Sequence, residues 1–376
     1  MKENDLIKKI VFIKMGEFSH TNTSVLNLLK REFPNNPIIL IDIWQEVVKI
    51  KSIKNIFYTI SEYGLKVLLS KKLFIAGLMR NTYIFKDVKT KINELLSSET
   101  CLFTFQTQSM FDTSVKGIPH YVYTDHTFLE NEKYPCFNKN EVIYNHKWIE
   151  CEKTVYSNAT LNFTMSNNIT NSIVKDYECE PSKVVCAYVA PNTNIPKIIT
   201  IKEDKYVHPH ILFVGKDWEA KGGPTLLKAF INVLKKHPVV KLTIVGCKPE
   251  INIFNCNVVG YIPISEIGDY FNKASIFCLP TVKEAFGIVF LEAMAYSLPV
   301  IGTNIGAIPE FIHDNKNGFK IKVNDVEKLT IKLLELIESP DKCRDFALYG
   351  RSLYLEKYTW ENVGKIMKNQ IIKSLT

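Results

Sequence analysis

The sequence predicts a two-domain α/β protein whose parallel sheets carry helices on both faces. Three observations lead there. At 376 residues the chain is longer than one hydrophobic core ordinarily serves, so two domains are the natural division. From residue 210 onward, short apolar runs alternate with helical stretches, the strand–helix–strand rhythm of a parallel sheet. The strand runs are apolar without alternation, as in Ser275-Ile276-Phe277-Cys278-Leu279-Pro280, which reads as a strand buried on both faces.

In the first half, Lys9 to Met15 reads as a strand and Gly16 to His20 as a turn. Thr21 to Phe33 reads as a helix with Val25, Leu28 and Leu29 on one face. Gly16 serves either a plain tight turn or the close approach of a ligand to backbone. No G-x-G-x-x-G follows it, which excludes the dinucleotide fingerprint. Pro37 to Ile43 is a second strand and Cys101 to Phe105 a later one. Ile118 to Thr124 is a strand running into a polar turn at Asp125-His126. Ligands of open α/β sheets sit beyond the carboxyl ends of strands, and His126 stands at such an end. Asn140 to Ala159 is expected as a long helix (Val142, Ile143, Trp148, Ile149, Val155). Strand Leu161 to Met165, helix Asn168 to Tyr177 and strand Lys183 to Val189 follow. Pro191 to Pro196 and the polar residues up to Pro209 read as a linker, which places the first domain at 1–195.

The second domain, 196–359, opens with strand 210–215, a Gly-rich loop and a helix starting at Pro224, a residue suited to the first helical position. Strand Lys241 to Val245, the short run Val258 to Tyr261 and helix Ser265 to Ala274 come next. After strand 275–280, Thr281 to Phe286 is a loop and Gly287 to Ser297 an apolar helix. A glycine opening that helix lets a phosphate approach free N–H groups at the positive end of the helix dipole. Glu284 in the loop and Glu292, a turn and a half (~8 Å at ~1.5 Å per residue) along the helix, bracket this point. They are two solvated glutamates, or they bind hydroxyls on either side of a diphosphate. Strand Pro299 to Gly302 follows, with helices around Ile308, from Val326 to Ile337, from Asp341 to Tyr358 and from Trp360 onward.

Lys283-Glu284-Ala285-Phe286-Gly287-Ile288-Val289-Phe290-Leu291-Glu292 closely resembles the Glu-x7-Glu segment of retaining glycosyltransferases of family 4, which have the GT-B fold. His210 to Gly215 with Lys216 to Gly223 is similar to that family's phosphate-binding strand and loop. Gly302 to Glu310 resembles its next strand and turn, and the three stretches come in the family's order. The resemblance implies GT-B architecture, two Rossmann-like domains facing a central cleft, with the last helix, 360–376, crossing back onto the first domain. It implies transfer of a hexose from a nucleoside-diphosphate sugar with retention of configuration. A UDP-sugar is favoured and GDP-mannose is an alternative; the acceptor is a lipid, a lipid-linked glycan or another sugar. Glu284 and His126 are then catalytic. Gly16, Lys216, Lys221, Tyr261, Gly287, Ile288, Val289 and Glu292 are then donor-binding. The resemblance also implies that the leaving phosphate assists deprotonation of the acceptor. Lys216 stands where the family usually has arginine, keeping the charge without the bidentate fork. Ala285 stands where proline is common.

The loop lysines supply positive charge at the leaving phosphate, the largest help such a reaction can receive. No Asp-x-Asp stands out in a loop and the loop lacks Walker spacing, so neither a metal nor a cofactor is expected and phosphoryl transfer from ATP is poorly supported. A catalytically silent GT-B protein that binds a nucleotide sugar or a membrane is the alternative. A related GT-B epimerase or phosphorylase fits the motif order less well.

Nine cysteines form no C-x2-C pair, which argues for reduced thiols and a cytoplasmic location. The start of the chain is unlike a signal peptide, and no window of about 19 residues is free of charge, so no membrane span is expected. Nucleic acid is not an expected partner. Charge is unevenly placed: residues 49–91 hold ten basic side chains against Glu62 and Asp87, a net of +8 that equals the chain's total. Phe57, Leu65, Leu68, Leu69 and other apolar residues are interleaved with them. The region is either a core helix with a solvated lysine face or a surface that docks peripherally on anionic membrane.

Overall fold

The structure, a computed structural model, describes residues 8–18, 20–48, 50–135, 137–138, 145–196 and 204–376. Lys49, Cys136, Val142 and Ile143 therefore lie outside the described residues. The chain divides into two compact units. One holds the chain up to Lys133, Phe137–Ala187 and Gly364–Thr376; the other holds Tyr188–Val363 with the short segment at Tyr134.

The first unit is built on a six-stranded parallel sheet of β1 (Lys9–Lys14), β2 (Ile38–Asp42), β3 (Cys101–Thr107), β4 (His120–Thr124), β5 (Leu161–Thr164) and β6 (Val184–Cys186). Their spatial order is β2-β1-β3-β4-β5-β6. Ile10, Val11, Phe12 and Ile13 are all fully buried, as the unalternating apolar run requires of a strand covered on both faces. Between β2 and β3 the chain makes a helical excursion: Ile53–Tyr63, a 3-10 turn at Leu65–Leu69, Lys71–Met79 and Thr82–Leu96. The expected helix at 140–159 is seen as His146–Asn158, where the Asn145 side chain caps the N-terminus by accepting from the Trp148 N–H.

The second unit repeats the plan with β7 (His210–Val214), β8 (Lys241–Val245), β9 (Cys256–Gly260), β10 (Ile276–Leu279), β11 (Val300–Thr303) and β12 (Gly318–Ile321). All are parallel, in the order β12-β11-β10-β7-β8-β9. Strand β12 is not anticipated by the sequence pattern, because Gly-Phe-Lys-Ile offers no continuous apolar run. Its Gly318 packs so close to β11 that an added Cβ would lie 1.8 Å from the Val300 carbonyl oxygen.

The division falls between Ala187 and Tyr188, ahead of the expected boundary at 195/196. The supposed linker is bonded to groups of the second unit: Pro191 O accepts from Trp360 Nε1 at 2.7 Å, and Asn194 O accepts from Tyr296 Oη at 3.2 Å. For the same reason the last helix, Trp360–Leu375, begins in the second unit. From Gly364 onward it packs on the first unit, where Met367 and Ile371 are fully buried. Tyr121 Oη lies 2.6 Å from Ser374 Oγ, and Lys368 pairs with Glu32.

Candidate functional site

In the second unit, three loops leave the carboxyl ends of β7, β10 and β11. The first two meet at the Ala220 carbonyl. It accepts from the N–H groups of Val282 (2.9 Å) and Lys283 (3.3 Å), and the Thr281 hydroxyl lies 3.0 Å from it. Gly222, with φ of 74°, passes so close to Pro280 that a Cβ would sit 1.8 Å from its carbonyl oxygen. The third loop joins through the Ala307 N–H, which donates to Ala285 O, and through Gly306, where a Cβ would lie 2.3 Å from Glu284 O. No side chain other than hydrogen fits at Gly222 or Gly306 without moving backbone.

This stitching brings Lys221 and Glu284 together across 63 positions of sequence: Lys221 Nζ lies 2.6 Å from Glu284 Oε2, and both side chains are largely shielded. Gly287, with φ of 91°, caps the helix Ile288–Ala295 without a side-chain bond. The N–H groups of Ile288 and Val289 therefore occupy a first turn that offers them no intrahelical acceptor. Glu292, on the same helix, is 7% exposed. Burial pushes its pKa up to about 7, and neighbouring Thr193 offsets part of that shift. Lys216 is exposed, and Tyr261 stands one residue past β9, also exposed. Among the described residues no cluster of three His, Cys, Asp or Glu side chains could hold a metal.

In the first unit, His126 follows β4 at its carboxyl end. Its Nδ1 lies 2.8 Å from Asp125 Oδ1. Burial works to lower the His126 pKa, but the hydrogen bond and charge of Asp125, with Glu152 behind them, outweigh it and the net shift is upward. Beside it is a pocket of about 50 Å³, lined by Arg80, Ser109, Asn131, Trp148 and Glu152 among others, with room for a few waters. The Glu152 carboxylate is buried; desolvation raises its pKa against hydrogen bonds from Tyr177, Tyr156 and the Phe128 N–H. Gly16 follows β1 with φ of 71°. Its N–H donates to Asp42 Oδ1 at 3.2 Å and a Cβ would meet the Trp44 ring at 3.0 Å, so contacts inside the unit account for the glycine there.

Thr193, Arg80 and Glu152 are not singled out by the sequence pattern. Thr193 lies in a stretch that composition marks as linker. The other two reach His126 only through the tertiary fold, and no spacing signals them.

A parallel sheet with flanking helices in each of two units is the plan of the GT-B fold. Solved structures agree: the chain matches sucrose-phosphate synthase of Thermosynechococcus elongatus with a TM-score of 0.68 at 14% identity, over 97% of this chain and 98% of that one. It matches Anabaena HepE, solved in complex with UDP-glucose, with a TM-score of 0.66 at 12% identity, over 97% and 99%. Residues 192–353 match the family described as "Glycosyl transferases group 1". A Haemophilus influenzae protein described as an uncharacterized glycosyltransferase is 33% identical over 161 residues, 40% of this chain and 45% of that one. The match thus spans less than half the length of that relative.

Proposed function

We propose that the protein is a retaining hexosyltransferase that draws on a nucleoside-diphosphate sugar, with a UDP-sugar the first choice, and passes the hexose to a lipid, a lipid-linked glycan or another sugar. The observation that carries this is the pairing of Lys221 with Glu284, beside the first turn of the helix Ile288–Ala295. When the anomeric C–O bond breaks, negative charge gathers on the leaving phosphate and positive charge on the sugar. An ammonium and the N–H groups of a helix start suit the first, and a carboxylate suits the second. Neither group has to cross the site, because they are neighbours before any ligand arrives. Glu292 is assigned to ribose hydroxyls: a carboxylate shielded from water gains from such donors. Lys216, Gly287, Ile288, Val289 and Tyr261 keep proposed roles in donor binding. In the first unit His126 and Gly16 keep the roles that the family resemblance suggests. The solved complex of HepE with UDP-glucose supports uracil as the base to test first.

The experiment is to incubate the purified protein with a panel of nucleotide sugars and measure free nucleoside diphosphate, with the anomeric configuration of any glycoside read by NMR. Release from one donor class, and a product that keeps the donor's configuration, is the expected result. No release and no thermal stabilisation by any donor would overturn the proposal, since a ligand that binds only the folded protein must stabilise it.

A further inference from the structure

In the helical excursion between β2 and β3, one helix has its polarity inside out. In the helix Thr82–Leu96 the buried residues are Ile84, Phe85, Val88, Ile92 and Leu96, the ordinary apolar stripe. In the helix Ile53–Tyr63 the buried residues are Asn55, Thr59 and Tyr63, while Ile53 is 87% and Phe57 68% exposed. A polar network holds the inner side. Asn81 Nδ2 donates to Asn55 Oδ1 (2.6 Å), Thr59 Oγ1 (3.0 Å) and Gly77 O (3.0 Å), and Asn55 Nδ2 donates to the carbonyls of Ile50 and Leu78. The 3-10 turn continues the pattern: Val67 is buried, but Leu65 is 72% and Leu69 83% exposed, with Leu68 beside them. Of the twenty exposed large apolar side chains among the described residues, seven fall in the stretch 53–75.

The charges on this stretch are of one sign. Lys51, Lys54, Lys66, Lys71 and Lys72 are all exposed. The single acidic residue from 50 to 80, Glu62, is turned inward, where it accepts from the N–H and hydroxyl of Thr82 and from Asn145. The basic region is also narrower than its sequence span. Lys89 is spent on Asp112 and Ser114, and Lys91 on Asp87 and Val47 O.

We propose that this face docks the protein on an anionic lipid bilayer. Ile53, Phe57, Leu65, Leu68 and Leu69 enter the boundary between headgroups and acyl chains, and the five lysines lie among the headgroups. An exposed apolar face ringed by cations, on helices too short to span, is what an interfacial anchor requires. Among the described residues no helix is long and apolar enough to cross a membrane, so the protein lies on the surface rather than through it. A second copy is the poorer occupant: a two-fold contact through this face would set lysines against lysines. The rigid polar network explains how the helices keep their shape while presenting apolar groups outward.

The test is co-sedimentation of the full chain with phosphatidylcholine vesicles of graded phosphatidylglycerol content, at low and high salt. Partition should rise steeply with phosphatidylglycerol and fall with salt, because exposed charges are screened within about a Debye length. Replacing Lys66, Lys71 and Lys72 with glutamate should lower it by roughly a hundredfold or more, at about fivefold for each positive charge lost and a further decrease for the negative charges gained. Leu65→Ser with Leu69→Ser should lower it by about tenfold, with circular dichroism unchanged because both side chains are already in water. Equal partition into neutral vesicles, or none into anionic ones at low salt, would overturn the proposal. Light scattering that shows a dimer broken by the leucine substitutions, with no vesicle binding, would assign the face to a second copy instead. None of these readouts depends on sugar transfer.

Discussion

The two units hold their functional segments by different means. In the second, the loops after β7, β10 and β11 are joined through backbone: the Ala220 and Ala285 carbonyls, and glycines at 222 and 306 that tolerate no Cβ. In the first, the excursion and the His126 pocket are held by side chains: Asn55, Thr59 and Asn81 in one place, Glu152, Tyr156 and Tyr177 in the other. Backbone stitching does not depend on the side chains of Lys221 and Glu284, so they can be changed while the backbone joins between the loops remain. Side-chain stitching makes structure and specificity share residues, and changes there should cost stability first.

The sharpest break of this contrast is Gly222→Ala. Its Cβ would meet the Pro280 carbonyl at 1.8 Å from a left-handed backbone, so the loops must part. A loss on the order of 4 kcal/mol is expected, as for other changes that force backbone apart. Chemical denaturation should show the transition shifted or lost, whereas a stable Gly222→Ala protein would mean that the stitching is soft.

Titration separates the units next. Glu292 has a pKa of about 7 in the fold against an ordinary 4.5. The unfolded chain therefore releases this proton first as pH rises, and stability falls between 4.5 and 7 by at most about 3 kcal/mol, at ~1.36 kcal/mol per pH unit. His120 in the first unit runs the other way. Burial brings its pKa down to about 4 from 6.5, with Asp112 pulling it up and Lys89 down. Its contribution is present above 6.5 and is lost as pH falls toward 4. Glu292→Gln should then stabilise the protein more at pH 8 than at pH 5 in thermal melts. An equal effect at both would contradict the buried, ionisable assignment.

Asn81→Ala removes three donor contacts from the centre of the excursion and leaves Asn55 Oδ1 without its partner. About 2 kcal/mol of stability should be lost, in the range for a buried polar group left unsatisfied. Hydrogen exchange should show the opening confined to residues near 53–82, while the second unit keeps its protection. The smallest effect is on binding. Lys221→Ala should weaken UDP by roughly tenfold, about 1.4 kcal/mol, and uridine hardly at all, since its charge is assigned to phosphate. Calorimetric titration of both ligands distinguishes this from an equal loss, which would mean that Lys221 acts through folding.

What is legible in the sequence follows the same division. Glu284, Glu292 and Gly287 lie within one strand–loop–helix segment, so their spacing alone sets them around a helix start. Strand β12 and Thr193 are hidden because each belongs to the site's surroundings only through distant partners, Val300 and Glu292. In the excursion, the apolar spacing at Ile53, Phe57 and Leu65 marks a stripe but not its direction. Periodicity does not reveal that Asn55 and Thr59 find their partners in Asn81, more than twenty residues on, and so take the inside.

Turnover of the donor by Glu284→Gln tests the account most directly. The substitution keeps size and hydrogen-bonding capacity but removes the charge proposed to face the sugar as it becomes cationic, and it lies in a loop held by backbone. Steady-state release of nucleoside diphosphate should fall about a hundredfold, mainly in kcat, for a contact strengthened in the transition state. Circular dichroism and the melting temperature should match the unaltered protein. Near-full turnover in a folded Glu284→Gln protein would contradict the account.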